Sequence, residues 1–161
     1  MNIRVKFLGG AESVTGSKYL LEIDDFKLLI DCGLFQGLKE LRLRNWDDFP
    51  IDPSSIDAVV ITHAHIDHSG YLPLLVSKGF SGPIYCTNAT ASLLDILLKD
   101  AAKLQEEEAE FARKKGCSKH HPPKPLFTIK DAEAALSLLE FYEYKTRVSI
   151  TEKIEVTFFD A

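Results

Sequence analysis

Residues 59–73, VVITHAHIDHSGYLP, hold three of the chain's five histidines within six positions, directly behind a run of β-branched apolar residues. The run AVVIT at 58–62 is short and apolar, and reads as a buried strand. Side chains alternate along extended backbone, so His63 and His65 point the same way and can address one metal ion from the same side. Asp67 and His68 come at the next turn. Residues 69–79, SGYLPLLVSKG, then read as a helix, with Ser69 as its cap, Pro73 in the first turn and Gly79 as the stop. A strand that delivers such a cluster into a helix requires a mixed α and β fold. It also places the cluster on a strand-to-helix loop, where chemistry is commonly carried.

Neutral imidazoles accompanied by one or two carboxylates suit zinc, manganese or iron, whereas calcium and magnesium favour oxygen ligands throughout. Zinc is the first expectation. Two histidines facing one way, with an Asp-His pair beside them, serve two neighbouring ions better than one, which points to a binuclear hydrolytic site. The plainer reading, histidines that simply occupy a surface loop, does not account for this spacing.

The HAHIDH sequence, with His63, His65, Asp67 and His68, resembles the HxHxDH signature of the metallo-β-lactamase fold. Within that fold, LGGAESVTGSKYLLE and DCGLFQG are similar to the openings of the β-CASP RNA-processing nucleases. PLFTIKDAEAALSLLEFYEY and IEVTFFDA are similar to later segments of the same group, so the resemblance runs along the whole chain. One departure is local: many relatives carry glutamate directly before Val-Thr-Gly-Ser, where this chain has Ser13, with Glu12 one residue earlier.

The resemblance implies an α/β (α+β) fold, an αββα sandwich with a mixed β-sheet and flanking helices, of which residues 1–161 form the N-terminal half. It implies a zinc-dependent endoribonuclease with two ions, His63 and His65 serving one and Asp67 and His68 the other. Asp67 and His68 are the catalytic candidates, and Asp31 stands behind the ligands to orient a histidine. The group's Gly-His motif, its bridging aspartate, its distal histidine and its β-CASP domain are not among these residues. The expected object is therefore the N-terminal part of an enzyme that acts on single-stranded RNA, weakly active or inactive alone, with an open sheet face liable to self-association or homodimer formation. Other hydrolases of the fold, thioesterases or lactonases, and a non-catalytic metal-binding partner subunit are the alternatives.

At 161 residues and 45% apolar, the chain has the size of one globular unit. No apolar run approaches the ~20 residues that span a bilayer and no basic, apolar leader opens the sequence, so a cytoplasmic location is expected. Cys32, Cys86 and Cys117 are odd in number and widely spaced, and read as reduced thiols. The net charge of −5 argues against a stand-alone RNA-binding module, because such modules neutralise phosphates with Lys and Arg. It does not exclude a site whose charge is supplied by dications. Basic residues do gather in RKKGCSKHHPPK, where Arg113, Lys114, Lys115, Lys119 and Lys124 form a candidate RNA contact. Cys117, His120 and His121 in the same stretch could bind an auxiliary metal, although a loop rich in proline offers little preorganisation.

Elsewhere IRVKFLGG alternates as a strand, KYLLEIDDFKLLID reads as a hairpin turning at Asp24 and Asp25, and LKELRLRNW reads as a short helix. PIYC is a further strand. From about residue 90 to 115, Leu94, Leu97, Ala101 and Leu104 recur at helical spacing and are expected to form a core stripe. Thr128 and Asp131 form a capping box that opens a helix expected to run through Leu139. Two strands, YKTRVSI and KIEVTFF, close the chain.

Overall fold

The computed structural model describes residues 1–116 and 123–160. Strands β1 (Ile3–Gly9), β2 (Lys18–Ile23) and β3 (Phe26–Ile30) form an antiparallel meander, with Asp24 and Asp25 at the second turn as the sequence suggests. Helix α1 (Lys39–Leu43) runs into a 3-10 turn at Arg44–Trp46. Strand β4 (Ala58–Val60) then pairs parallel to β3. Helices α2 (Ile66–Ser69) and α3 (Leu72–Ser77) separate β4 from β5 (Ile84–Thr87), and α4 (Asn88–Lys115) and α5 (Ile129–Leu136) separate β5 from β6 (Leu139–Tyr142). The six strands form one mixed sheet in the order β1-β2-β3-β4-β5-β6, and β7 (Arg147–Thr151) and β8 (Ile154–Thr157) pair as a separate hairpin.

Period-two alternation decides what each face of the sheet meets. Leu29, Val59, Ile84 and Cys86 face the helices, where Leu72, Leu75, Leu94, Leu98, Ala132 and Ala135 complete a core of residues at most 1% exposed. Their neighbours Leu28, Ala58, Val60 and Tyr85 face the other way and are covered by Val148, Ile154 and Phe158 of the β7–β8 segment. The second face is therefore closed over β3, β4 and β5. Over β1 it is open: Ile3, Val5 and Phe7, whose partners in register are Ile23, Leu21 and Tyr19, are 48–67% exposed.

Three of the helical expectations differ in detail from the structure. The helix after the histidine stretch begins at Ile66 and is broken into two, and Ser69 does not cap it, because its hydroxyl donates backward to the Ala64 and His65 carbonyls. Gly79, with φ +113°, does end the helical segment. The α4 stripe is Leu94, Leu98, Ala102 and Ala109, with Leu97 and Ala101 at its margin, and Leu104 is 52% exposed because it falls on the opposite side of the helix from Ala102. Helix α5 has the expected capping box but stops at Leu136, because residues 139–142 are taken up as β6 beside β5.

Candidate metal centre

The site forms at the carboxyl ends of the parallel strands β3 and β4, the end of an α/β sheet at which ligands ordinarily bind. Strand β4 ends at Val60, two residues before the expected boundary, and the backbone beyond it is held by a side chain. The Asp31 carboxylate accepts the Thr62 N–H at 2.8 Å and the Thr62 hydroxyl at 2.9 and 3.1 Å. Its Oδ2 also accepts Nδ1–H of His68 at 2.7 Å. Asp31 is 2% exposed and has φ +59°, the left-handed region that Asp tolerates better than most residues.

The 65–68 segment is docked through its backbone. The Asp67 carbonyl accepts Ser17 N–H, the His68 carbonyl accepts Cys32 N–H, and the Ile66 carbonyl accepts Leu34 N–H, at 2.7–3.0 Å. Gly33 N–H in turn donates to Ser17 O at 3.0 Å, and the buried Lys18 ammonium donates to the Gly33 carbonyl and lies over the Phe35 and Tyr71 rings. Burial holds the Lys18 pKa below the usual lysine value. A β-carbon on Gly33 would fall 1.6 Å from the Asp67 carbonyl oxygen, so glycine is the residue that admits this approach. The VTGSK and DCG stretches thus form a cradle for the histidine loop.

Within the loop, His63 Nε2 and His65 Nδ1 stand 3.2 Å apart, and His68 Nε2 and Asp67 Oδ2 stand 3.6 Å apart. The His63 and His68 ring centres are separated by 4.1 Å, so the two pairs adjoin. Two nitrogens bound at 2.0–2.1 Å on a tetrahedral ion stand about 3.3 Å apart, so the first pair has the spacing of two ligands of one zinc. Burial, and then the neighbouring His68 and His65 rings, lower the pKa of His63 and favour the neutral imidazole that a metal requires. Among the described residues no three His, Cys, Asp or Glu donors already surround one point. The donors fit two ions by type and by pairing, two per ion, one short of the three protein ligands usual for a catalytic zinc.

The metallo-beta-lactamase superfamily matches residues 14–153. The chain belongs to this superfamily. It is 41% identical over 142 residues to ribonuclease TTHA0252 of Thermus thermophilus, covering 88% of this chain and 28% of that protein. It is 39% identical over 141 residues to transcription termination factor FttA of Methanocaldococcus jannaschii, covering 84% and 22%. It is 32% identical over 155 residues to an Integrator complex subunit 11 homolog of Dictyostelium discoideum, covering 88% and 21%. The chain therefore spans between a fifth and somewhat over a quarter of the length of these relatives. Superfamily membership accounts for the mixed sheet with flanking helices, and the names of these relatives agree with the RNA-processing resemblance of the VTGS and DCGLFQG stretches.

His63, His65, Asp67, His68 and Asp31 lie together. The basic residues form a separate set: Arg113, Lys114 and Lys115 occupy the last turn of α4, about 38 Å along the helix from its start. Their partners are local, with Lys114 paired to Glu110 at 2.7 Å, Lys115 over the Phe111 ring, and Arg113 donating to the Pro123 carbonyl. Lys124 is exposed, and Glu12 is exposed as well. Lys119, Cys117, His120 and His121 lie outside the described residues. Cys32 and Cys86 are buried thiols, as expected. Among the described residues no helix is long and apolar enough to cross a membrane. Sequence reasoning missed Thr62, Ser17 and Gly33. Only Gly33 carried a signal, as a glycine two residues after an aspartate at a strand end.

Proposed function

We propose that the chain is the N-terminal part of a zinc-dependent endoribonuclease of the β-CASP branch, acting on single-stranded RNA, with the remainder of the metallo-β-lactamase domain and the β-CASP domain contributed by a longer protein. The observation that supports this reading best is the pair of donor sets, His63 with His65 and Asp67 with His68, held on a backbone cradle built from the two stretches that resemble RNA-processing nucleases. The names of the relatives, a ribonuclease and a transcription termination factor among them, point the same way.

Zinc ions, when bound, supply Lewis acidity at the phosphoryl oxygens and lower the pKa of water at the scissile phosphodiester. His63 and His65 hold one and Asp67 and His68 the other. Asp31 keeps the His68 Nδ1 proton engaged, so that Nε2 faces the cluster with its lone pair free. Nothing in the cradle is basic apart from the buried Lys18, so the affinity for RNA phosphates comes from the ions and from surfaces outside the cluster. Arg113, Lys114, Lys115, Lys119 and Lys124 are candidates, in a cytoplasmic protein.

The test is a labelled single-stranded RNA incubated with zinc and the full-length protein, beside its Asp67→Ala variant and the 161-residue chain. Cleavage by the full-length protein, lost in Asp67→Ala and weak or absent in the short chain, is expected. Hydrolysis of a thioester or lactone with RNA left intact would overturn the nuclease reading and leave the metal site standing.

A further inference from the structure

We propose that Thr62 is a positioning residue that extends the hold of Asp31 to a second histidine, so that one buried carboxylate sets which ring nitrogen of both His68 and His63 faces the cluster. A carboxylate accepts and has none to give, and a hydroxyl has one proton. The Thr62 hydroxyl stands 2.9 Å from Asp31 Oδ2 and 2.9 Å from His63 Nδ1. Its single proton goes to Asp31, so the His63 contact is a hydrogen bond only if Nδ1–H of His63 donates to the Thr62 oxygen. His63 Nε2 is then the bare nitrogen, and it is the one 3.2 Å from His65. The same carboxylate takes Nδ1–H of His68 directly, which leaves His68 Nε2 bare and 3.6 Å from Asp67 Oδ2.

Both lone pairs are thus presented inward by one anchor, directly for His68 and through a hydroxyl for His63. Thr62 is itself fixed at two points, because its N–H donates to Asp31 Oδ1 at 2.8 Å. That bond survives loss of the hydroxyl, so the backbone and the ring restraint can be separated by substitution. Thr62→Val keeps the branched shape and the N–H but removes the hydroxyl, and Thr62→Ser keeps the hydroxyl.

The experiment is two-bond ¹H–¹⁵N spectroscopy of the 161-residue chain labelled at histidine, without metal and near pH 8, followed by calorimetric titration with zinc. In the parent chain His63 and His68 should both show a protonated Nδ1 and a bare Nε2. In Thr62→Val, His63 should lose that preference while His68 keeps it, and Thr62→Ser should restore it. Groups behind metal-ligating histidines are typically worth 10–100-fold in metal affinity, so zinc should bind Thr62→Val about tenfold more weakly and Thr62→Ser within about threefold of the parent. A protonated Nε2 on His63 in the parent, or an unchanged His63 in Thr62→Val, would overturn the proposal. The zinc arm rests on the metal reading given above and the spectra do not: the expected tautomers in a chain that ignores zinc would support the relay and remove the metal reading.

Discussion

Gly33→Ala should disable the candidate metal centre without touching any of its donors. The added β-carbon would lie 1.6 Å from the Asp67 carbonyl oxygen, 2.0 Å from its carbon and 2.6 Å from His68 N, all backbone atoms with no rotamer by which to withdraw. Since a β-carbon essentially never comes within 3.0 Å of such atoms, the loop must move at least 1.4 Å away from residue 33. That displacement breaks the bonds from Ser17, Cys32 and Leu34 to the 66–68 carbonyls, three bonds at about 1 kcal/mol each. A loss of about 3 kcal/mol corresponds to a melting point lowered by about 10 °C for a chain of this size. A shift of that length also exceeds the ~1 Å misplacement that can cost ~100-fold at a catalytic centre, so zinc affinity should fall by at least tenfold. Gly37→Ala is the control: Gly37 has φ +84° but nothing within 4 Å of the new carbon, so it pays backbone strain alone. Thermal melts by circular dichroism and zinc titration by calorimetry read both quantities. A Gly33→Ala chain with the melting point and zinc affinity of the parent would refute the cradle.

Replacing His63 and His65 together with alanine should abolish stoichiometric zinc uptake in the same titration, and unchanged uptake would move the site toward Cys117, His120 and His121. Burial pushes the Cys32 and Cys86 thiols up to about 12 from an ordinary 9.0, so the folded chain keeps protons that the unfolded chain releases. That contribution is complete below pH 9 and declines toward pH 12, by about 1.4 kcal/mol per unit for each thiol, and Cys32→Ala should flatten the slope in urea melts taken from pH 8 to 10.5. Lys18, lowered by burial, works in the opposite sense, because the unfolded chain binds its proton more readily and stability from this group rises as pH climbs toward 10.5. Thr128→Ala, which removes a capping box with both bonds formed, should cost about 1 kcal/mol in a denaturant melt and leave zinc binding unchanged.

The strands and the cluster were legible because their signals are local. AVVIT announces a buried strand by composition, and the crowding of three histidines and an aspartate into 63–68 marks the loop behind it, although the bend after Val60, not strand alternation, brings His63 and His65 together. The break between α2 and α3 was not legible, because Ser69 looks like a cap until its hydroxyl is seen donating to Ala64 and His65. The helix was carried as far as Leu139 and no strand was read after it for a similar reason: Leu139, Glu140, Phe141 and Tyr142 become a strand here only because the edge of β5 is there to pair with them. At the site, the sequence shows Asp31 as a strand-end carboxylate, but Thr62 reads as the last residue of a strand. Its second function depends on a contact 31 positions away in sequence. The cover over the second sheet face was likewise underestimated, since nothing local says that Val148, Ile154 and Phe158 fold back over Leu28 and Val60.

The segment after β3 belongs to no helix or strand, yet its successive amides all find acceptors. Asp31 donates to Val60, Cys32 to His68, Gly33 to Ser17, Leu34 to Ile66, Phe35 to the Asn45 side chain and Gln36 to the Thr15 hydroxyl. Solvent deuterium reaches a bonded amide only when the structure around it opens. An irregular stretch in which six amides in a row are bonded to other parts of the chain should therefore exchange as slowly as the central strands, and much more slowly than the exposed turns of α4. The polypeptide around the histidines would then open only together with the sheet, so the lifetime of the site and the lifetime of the fold become a single quantity.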